Sequence, residues 1–261
     1  MKSTAQPFFG NYASWEDARR DCNGYDAPAI LEKVKESLLK VKNGEAAYER
    51  DSVIFHKIEY SMPLLVFLLY SASFSGGELR IVDFGGSLGS TYYQNRKFLK
   101  GLKKVKWQII EQDHFVACGE DFFADEVLSF HLSIEDCRRK SSPNTILLSS
   151  VLPYLPKPYD ILRQIKESGF EFIIIDRTPF FMDNSDDSVV IHKVPSEIYP
   201  AEIPTWFLNL KKIKNFLNSD YELIEEFEAI DRLNTGSLKV EYRALMFQRK
   251  NTYDSQIISK K

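Results

Sequence analysis

An acid followed by a cluster of glycines, with a second acid further on, is the first arrangement in this chain that could do chemistry. Ile81-Val-Asp83-Phe-Gly85-Gly86-Ser87-Leu-Gly89 is an apolar run that ends in a carboxylate and breaks into a glycine-rich turn. A strand feeding such a turn and then a helix brings bare backbone close to a ligand at the positive helix end. Glu111 closes the next apolar run, Val105-Lys-Trp-Gln-Ile-Ile-Glu111, 22 residues beyond Gly89. A carboxylate at that distance can accept from both hydroxyls of a ribose, and standing alone it would be a surface acid at a strand end. A dinucleotide fingerprint G-x-G-x-x-G fits poorly. The register starting at 84 begins with Phe84, and the register starting at 85 puts Ser87 and Ser90 where glycines belong.

The elements that must position these residues follow from periodicity. The first 75 residues read as a helical N-terminal segment. Ser14-Trp-Glu-Asp17 is a capping-box pattern, and Ile30, Val34, Leu38 and Val41 recur at helical spacing before an Asn43-Gly44 stop. Met62 to Ala72 is apolar nearly all round, which suits a helix buried against a sheet. From Gly76-Gly77 onward, short apolar runs at 79–83, 105–111, 128–132, 144–150 and 171–176 alternate with helical segments. That alternation predicts an α/β fold with a Rossmann-like, mostly parallel sheet over residues 76–250. Tyr221 to Ile230 and Leu238 to Gln248 flank the turn-rich Asp231-Arg-Leu-Asn-Thr-Gly-Ser237, so the sheet should end in an antiparallel hairpin. Residues 251–261 read as a polar, frayed tail.

Composition narrows the function classes. With 34 Lys and Arg against 37 Asp and Glu, the net charge of −3 gives no reason to expect nucleic acid as a partner. The six basic residues between Arg96 and Lys106 read as a solvated helix face. The longest apolar stretch, Met62 to Phe74, has 13 residues and falls short of a membrane span. No signal peptide is visible, and three widely spaced cysteines suggest neither a disulfide framework nor zinc. His56, His114 and His131 show no convergent partner, so no metal is expected. The natural reading is a soluble cytoplasmic protein.

The segment around Asp83 resembles the first motif of the class I S-adenosylmethionine-dependent methyltransferases, an acid followed by hydrophobic-Gly-x-Gly-x-Gly. Asp83, Gly85 and Gly89 match it, and Ser87 stands at the middle glycine. The terminal hairpin also fits that fold. The resemblance implies S-adenosylmethionine as cofactor, held by Asp83, Gly85, Gly86, Ser87 and Gly89, with Glu111 on the ribose and Gln112 near adenine. Ser149 and Ser150, at the end of the fourth strand, complete the expected cofactor set. Phe9-Gly-Asn-Tyr-Ala-Ser-Trp15, Tyr48-Glu-Arg-Asp51, Leu147-Leu-Ser-Ser-Val-Leu152 and Ile175-Asp-Arg-Thr-Pro179 add a closer likeness. They are similar to a family of predicted bacterial methyltransferases associated with surface polysaccharides such as lipopolysaccharide O-antigen. That likeness implies a glycan or other small-molecule acceptor and leaves a non-catalytic, cofactor-binding scaffold as the competing class.

Acceptor and catalytic groups should come from the carboxyl ends of strands four and five, where a doubly wound sheet opens its crevice. The candidates are Tyr154 after strand four, and Asp176, Arg177 and Thr178 after strand five. Asp176 is the first choice for a general base and Arg177 for orienting the acceptor; the alternative pairs the two or makes Asp176 a turn cap. Residues 178–210 read as an acceptor loop in which Tyr199 and Trp206 among prolines form a wall for a sugar, or an ordinary packed loop. His192 in that loop is an alternative base, or simply a strand residue.

Overall fold

The computed structural model describes residues 7–22, 27–195, 198, 200–231 and 239–250. The N-terminal third contains β1 (Phe8–Tyr12), α1 (Trp15–Asp21), α2 (Ala27–Lys42), β2 (Tyr48–Arg50), β3 (Val53–Phe55) and α3 (Met62–Phe74). The middle contains β4 (Glu78–Phe84), α4 (Ser90–Leu99), β5 (Lys104–Ile110), α5 (Asp113–Phe122), β6 (Leu128–His131), α6 (Ile134–Lys140), β7 (Thr145–Ser149) and α7 (Pro158–Ser168). The last part contains β8 (Phe172–Phe181), β9 (Ser188–Val194), β10 (Ala201–Asn209), α8 (Leu210–Leu217), β11 (Tyr221–Glu228) and β12 (Val240–Arg249).

Strands β6, β5, β4, β7 and β8 pair in that order, all parallel, and β12 then adds antiparallel to β8 with β11 outside it. Both faces of the parallel part are covered, so neighbouring residues of one strand serve opposite cores. Ile81, Ile109, Leu147 and Ile174 pack with α2, α3, α4 and α5. Val82, Ile110, Ile146, Leu148, Ile173 and Ile175 pack with α6, α7 and α8. This is the reason the strands read as continuous apolar runs rather than alternating ones. The hairpin expected at the end of the sheet is present, with residues 232–237 of its turn outside the described residues, as is the tail.

Three sequence expectations are corrected. The N-terminal segment is not purely helical. Ser14 Oγ does accept the Asp17 N–H at 3.1 Å to cap α1, but β1 joins the sheet beside β9, and β2 and β3 form a hairpin around Asp51-Ser52. Both hairpin-turn residues have left-handed φ, +52° and +67°, the geometry of the tight two-residue turn that matches strand twist. Second, α3 buries Leu64, Leu65, Phe67 and Leu68 but leaves Met62, Val66 and Leu69 exposed along one stripe. Third, residues 178–210 are not a loop: β8 runs on to Phe181, and β9 and β10 pair antiparallel across most of the remainder. Pro204 fits inside β10 because that strand meets β8 only at Leu208 and Asn209, so among the described residues its second edge near Pro204 carries no strand partner.

This extension shapes the crevice. β12 occupies one edge of β8 throughout, β7 pairs with the other edge as far as Asp176, and β10 takes over that edge at Phe180. The β10–β9–β1 arm therefore stands above the carboxyl end of β7 and walls the space over the parallel strands.

Candidate active site

Backbone strain marks the site. Among the described non-glycine residues, Asp51, Ser52, Ser87, Ser150 and Arg177 have left-handed φ between +51° and +67°. All but Ser52 line one cavity of about 940 Å³ at the carboxyl ends of β4, β5, β7 and β8. Ser87 and Ser150 follow β4 and β7, and Arg177 lies within β8 one residue past the end of its pairing with β7, so the backbone departs from regular strand geometry where the crevice opens. Residues held in sparsely populated conformations cost about 1–3 kcal/mol each and cluster where function over-determines them.

The glycine turn forms one end. Gly85 has φ +72° and donates its N–H to the Ile110 carbonyl at 2.9 Å. A Cβ there would sit 2.3 Å from Val151 Cγ2, so the turn and the β7 loop pack with no room for a side chain. Gly85→Ala should lower unfolding free energy by about 2–4 kcal/mol, combining backbone strain with overpacking. Gly44→Ala is the control, because Gly44 has φ +81° with nothing within 4 Å of an added Cβ. Denaturant titration should show a distinctly smaller loss for Gly44→Ala, since it carries strain without collision.

Glu111 lies beside this turn. Its Oε1 accepts the Ser87 N–H at 3.1 Å and its Oε2 accepts the Gln112 N–H at 3.0 Å. Those two bonds fix the carboxylate plane and leave each oxygen a further lone pair for a ligand in the cavity. Burial raises its pKa against those two stabilising N–H groups. Gln112, Phe115, Leu132 and Ile134 continue the lining on that side.

Asp83 does not line the cavity. It is 1% exposed, its Oδ2 accepts from Trp107 Nε1 at 3.0 Å, and a Cβ on Gly86 would lie 2.5 Å from its carboxyl carbon. Gly86 therefore lets the turn lie directly on the acid and seal it. Burial pushes the Asp83 carboxyl up to about 7. Gly89 also sits outside the lining, as the left-handed N-cap of α4 at φ +106°, packed toward Leu128 and Ile109.

The opposite end is built from β9, the turn after β7 and the N-terminal hairpin. Tyr154 and His192 both line the cavity, with Tyr154 Oη 3.2 Å from His192 Nδ1. Phe8 of β1 stacks on the imidazole at 4.5 Å between centroids and 14° between planes. Burial pushes His192 down to about 4 even though the Asp51 carboxylate opposes that shift. The imidazole is thus neutral at physiological pH and has a lone pair to accept a proton.

Above the cavity lies a charge network that sequence reading missed. Arg177 Nε donates to Asp231 Oδ2 at 2.5 Å, Arg177 Nη2 lies 3.7 Å from Asp51, and Arg50 Nη1 lies 3.5 Å from Asp231. Burial would lower the Arg177 pKa, but the Asp231 and Asp51 carboxylates hold it raised. Glu49 of the same hairpin is 1% exposed, accepts from Ser90 Oγ at 2.5 Å and from the Ser52 N–H at 2.8 Å, and is pushed up to about 7 by burial. The cluster Tyr48-Glu-Arg-Asp51 was legible as a motif, but nothing in its spacing told which strand ends it would face.

Other expected site residues are distributed differently. Gly85, Gly86, Ser87, Glu111, Gln112, Ser149, Ser150, Tyr154, Arg177 and His192 meet in one cavity. Asp176 is fully buried, faces a separate small chamber and accepts from Ser149 Oγ at 3.2 Å. The carboxylates paired with the Arg177 guanidinium are Asp231 and Asp51, not Asp176. Thr178 is buried, its hydroxyl donating to the Asp176 carbonyl at 3.1 Å, so it cannot reach an acceptor. Trp206 stacks with Trp15 at 6.4 Å and 20° instead of lining the cavity, because alternation along β10 turns it to the α1 side and leaves Ile203 on the crevice. Tyr199 lies outside the described residues. Among the described residues, no three or more His, Cys, Asp or Glu come together as a metal site, and no helix is long and apolar enough to cross a membrane.

The strand order and the crevice define a class of fold. No protein-family model matches the chain, and no curated protein sequence matches it. Solved structures do. The N-terminal domain of EvdMO1, solved in the presence of SAH and D-fucose, aligns at a TM-score of 0.50 and 11% identity, covering 87% of this chain and 98% of that domain. The [4+2]-cyclase SpnF aligns at a TM-score of 0.50 and 12% identity, covering 85% and 94%. The architecture is that of the class I S-adenosylmethionine-dependent methyltransferase fold.

Proposed function

We propose that this protein is an S-adenosylmethionine-dependent O-methyltransferase acting on a sugar or sugar-containing intermediate of bacterial surface-glycan synthesis. The observation that carries this reading is the single cavity running from the Ser87–Glu111 turn to the Tyr154–His192 pair. One end offers a carboxylate and bare backbone to a nucleoside. The other offers a neutral base within a walled, partly apolar space large enough for a second small molecule. The EvdMO1 domain, with SAH and D-fucose, supports a hexose-sized acceptor on this fold.

The residues present fit the cofactor. Gly85 and Gly86 line the cavity as bare backbone, and the Glu111 carboxylate is fixed with lone pairs to spare. When bound, S-adenosylmethionine supplies an electrophilic methyl group on a sulfonium. Glu111 accepts from the ribose hydroxyls, and Gln112 and Leu132 border the space for the base. His192 accepts the proton of the acceptor hydroxyl, with Tyr154 and Phe8 fixing the ring. Arg177, already tethered by Asp231 and Asp51, orients the acceptor from above. Holding both partners in one geometry supplies much of the rate in such a displacement.

Calorimetry tests the cofactor half directly. S-adenosylhomocysteine should bind and NAD should not, and Glu111→Ala should weaken S-adenosylhomocysteine by roughly 1.5–3 kcal/mol, the value of charge-assisted hydrogen bonds. Binding of NAD in its place, or unchanged affinity in a folded Glu111→Ala protein, would remove this reading. The fold alone does not dictate transfer chemistry, since SpnF is a [4+2]-cyclase of similar architecture. Methyl incorporation into a hydroxylated sugar is therefore the measurement that separates a transferase from a cofactor-binding scaffold.

A further inference from the structure

Behind the main cavity is a second chamber of about 10 Å³, the volume of one water-sized group. It lies among the hairpin (Tyr48, Arg50), the start of α3 (Ser61), α4 (Thr91) and the ends of β7 and β8 (Ser149, Asp176). Tyr48, Arg50, Thr91, Ser149 and Arg177 line both spaces, so the chamber adjoins the cavity across a shared wall. Two of its walls carry orphans. Among the described residues, Asp176 Oδ1 and Ser61 Oγ are buried without a hydrogen-bond partner, on residues 0% and 2% exposed. A buried carboxylate oxygen left unpaired costs its full desolvation penalty, so such an atom needs an explanation.

We propose, resting on the cofactor reading above, that this chamber takes the α-ammonium of the cofactor's amino-acid end, with Asp176, Ser61 and Ser149 as its acceptors. Size fits: a protonated amine occupies about the space of a water. Chemistry fits: the orphans are acceptors, an ammonium brings three donors, and one acceptor is a carboxylate. The guanidinium groups on the same wall do not repel it as free charges, because Asp231 and Asp51 neutralise them. Position fits too. β5 and β7 flank β4, so their ends stand about 10 Å apart at normal strand spacing. A nucleoside anchored on Glu111 at the end of β5 therefore crosses the glycine turn and delivers its tail toward Ser149 and Asp176. Asp176 becomes a cofactor-binding carboxylate in place of the sealed Asp83, and the base role passes to His192.

The experiment compares two ligands that share the nucleoside and thioether but differ in the tail. S-adenosylhomocysteine carries the amino-acid end, and 5′-methylthioadenosine does not. Titration calorimetry on the full chain should show Asp176→Asn losing S-adenosylhomocysteine affinity by tenfold or more, with 5′-methylthioadenosine affinity held within twofold. Ser61→Ala should show the same selectivity with a several-fold loss, and it decides the matter if Asp176→Asn does not fold. Equal weakening of both ligands would make Asp176 a structural wall, and unchanged affinity for both would leave the chamber to a buried water; either overturns the proposal. Lost turnover at saturating cofactor with intact S-adenosylhomocysteine affinity would return Asp176 to the base role. Wild-type protein that binds neither ligand would instead overturn the cofactor reading and this proposal with it.

Discussion

His192→Asn is expected to lower turnover by roughly 10²–10⁴-fold while leaving S-adenosylhomocysteine affinity unchanged. Asparagine can still hydrogen-bond Tyr154 from about the position of Nδ1 but cannot take up a proton. The imidazole is held from three sides: Tyr154 Oη at Nδ1, the Phe8 ring stacked on its face, and the β9 backbone locked between β1 and β10. Affinity should be spared because the proposed nucleoside contacts come from the β4 and β5 ends, across the cavity. The pH profile of turnover gives a second check. Burial pushes His192 down to about 4, so the basic form dominates above that value and is lost below it. An intact base should keep activity on a plateau from neutrality to about pH 5 and lose it toward pH 4, well below the roughly 6.5 limb of an exposed histidine. A His192→Asn enzyme that retains wild-type turnover would remove the base role.

Asp83→Asn should stabilise the protein, and the gain should depend on pH. Burial raises the Asp83 carboxyl to about 7 in the folded chain, against about 3.9 when unfolded. The native state therefore holds the proton more tightly, and wild-type stability falls as pH climbs from about 4 to about 7. Each tenfold difference in proton affinity between the folded and unfolded chain is worth about 1.4 kcal/mol, so the loss approaches about 4 kcal/mol above pH 7. Asparagine fills the same space beneath Gly86, still accepts from Trp107 Nε1 and never needs to ionise. Denaturant midpoints should nearly coincide at pH 4 and diverge by pH 8, with the variant the more stable. Parallel curves at both pH values would mean that the buried acid ionises without penalty.

Sequence patterning went furthest where one strand decides its own neighbours. Apolar runs separated by helical stretches gave the parallel sheet, because strands covered on both faces must be apolar at successive positions. The glycine turn was legible because backbone packed directly on Val151 and Asp83 needs glycine at Gly85 and Gly86, and Glu111 closes the next apolar run beside it. Local signals also foretold the Ser14 cap on α1 and the stop after α2, where the Glu45 N–H returns to the Lys40 carbonyl at 2.8 Å. Apart from the 22-residue spacing from Gly89 to Glu111, these are short-range constraints written within a few residues.

What only tertiary structure decided is which groups meet across long separations. His192 and Tyr154 stand 38 residues apart and touch because β8 outruns β7 and carries β10 and β9 above it. Asp231 reaches Arg177 over 54 residues, and Glu49 reaches Ser90 over 41. Asp83 and Asp176 both end apolar runs and look alike in sequence, but one is sealed under a glycine and the other faces a side chamber. Trp206 and Ile203 differ by strand parity, and whether that parity faces the crevice depends on the register with β9. Composition and periodicity assign a residue to a strand end or a face; the choice of partner comes from how sheets stack and hairpins fold back, which burial of the whole core selects.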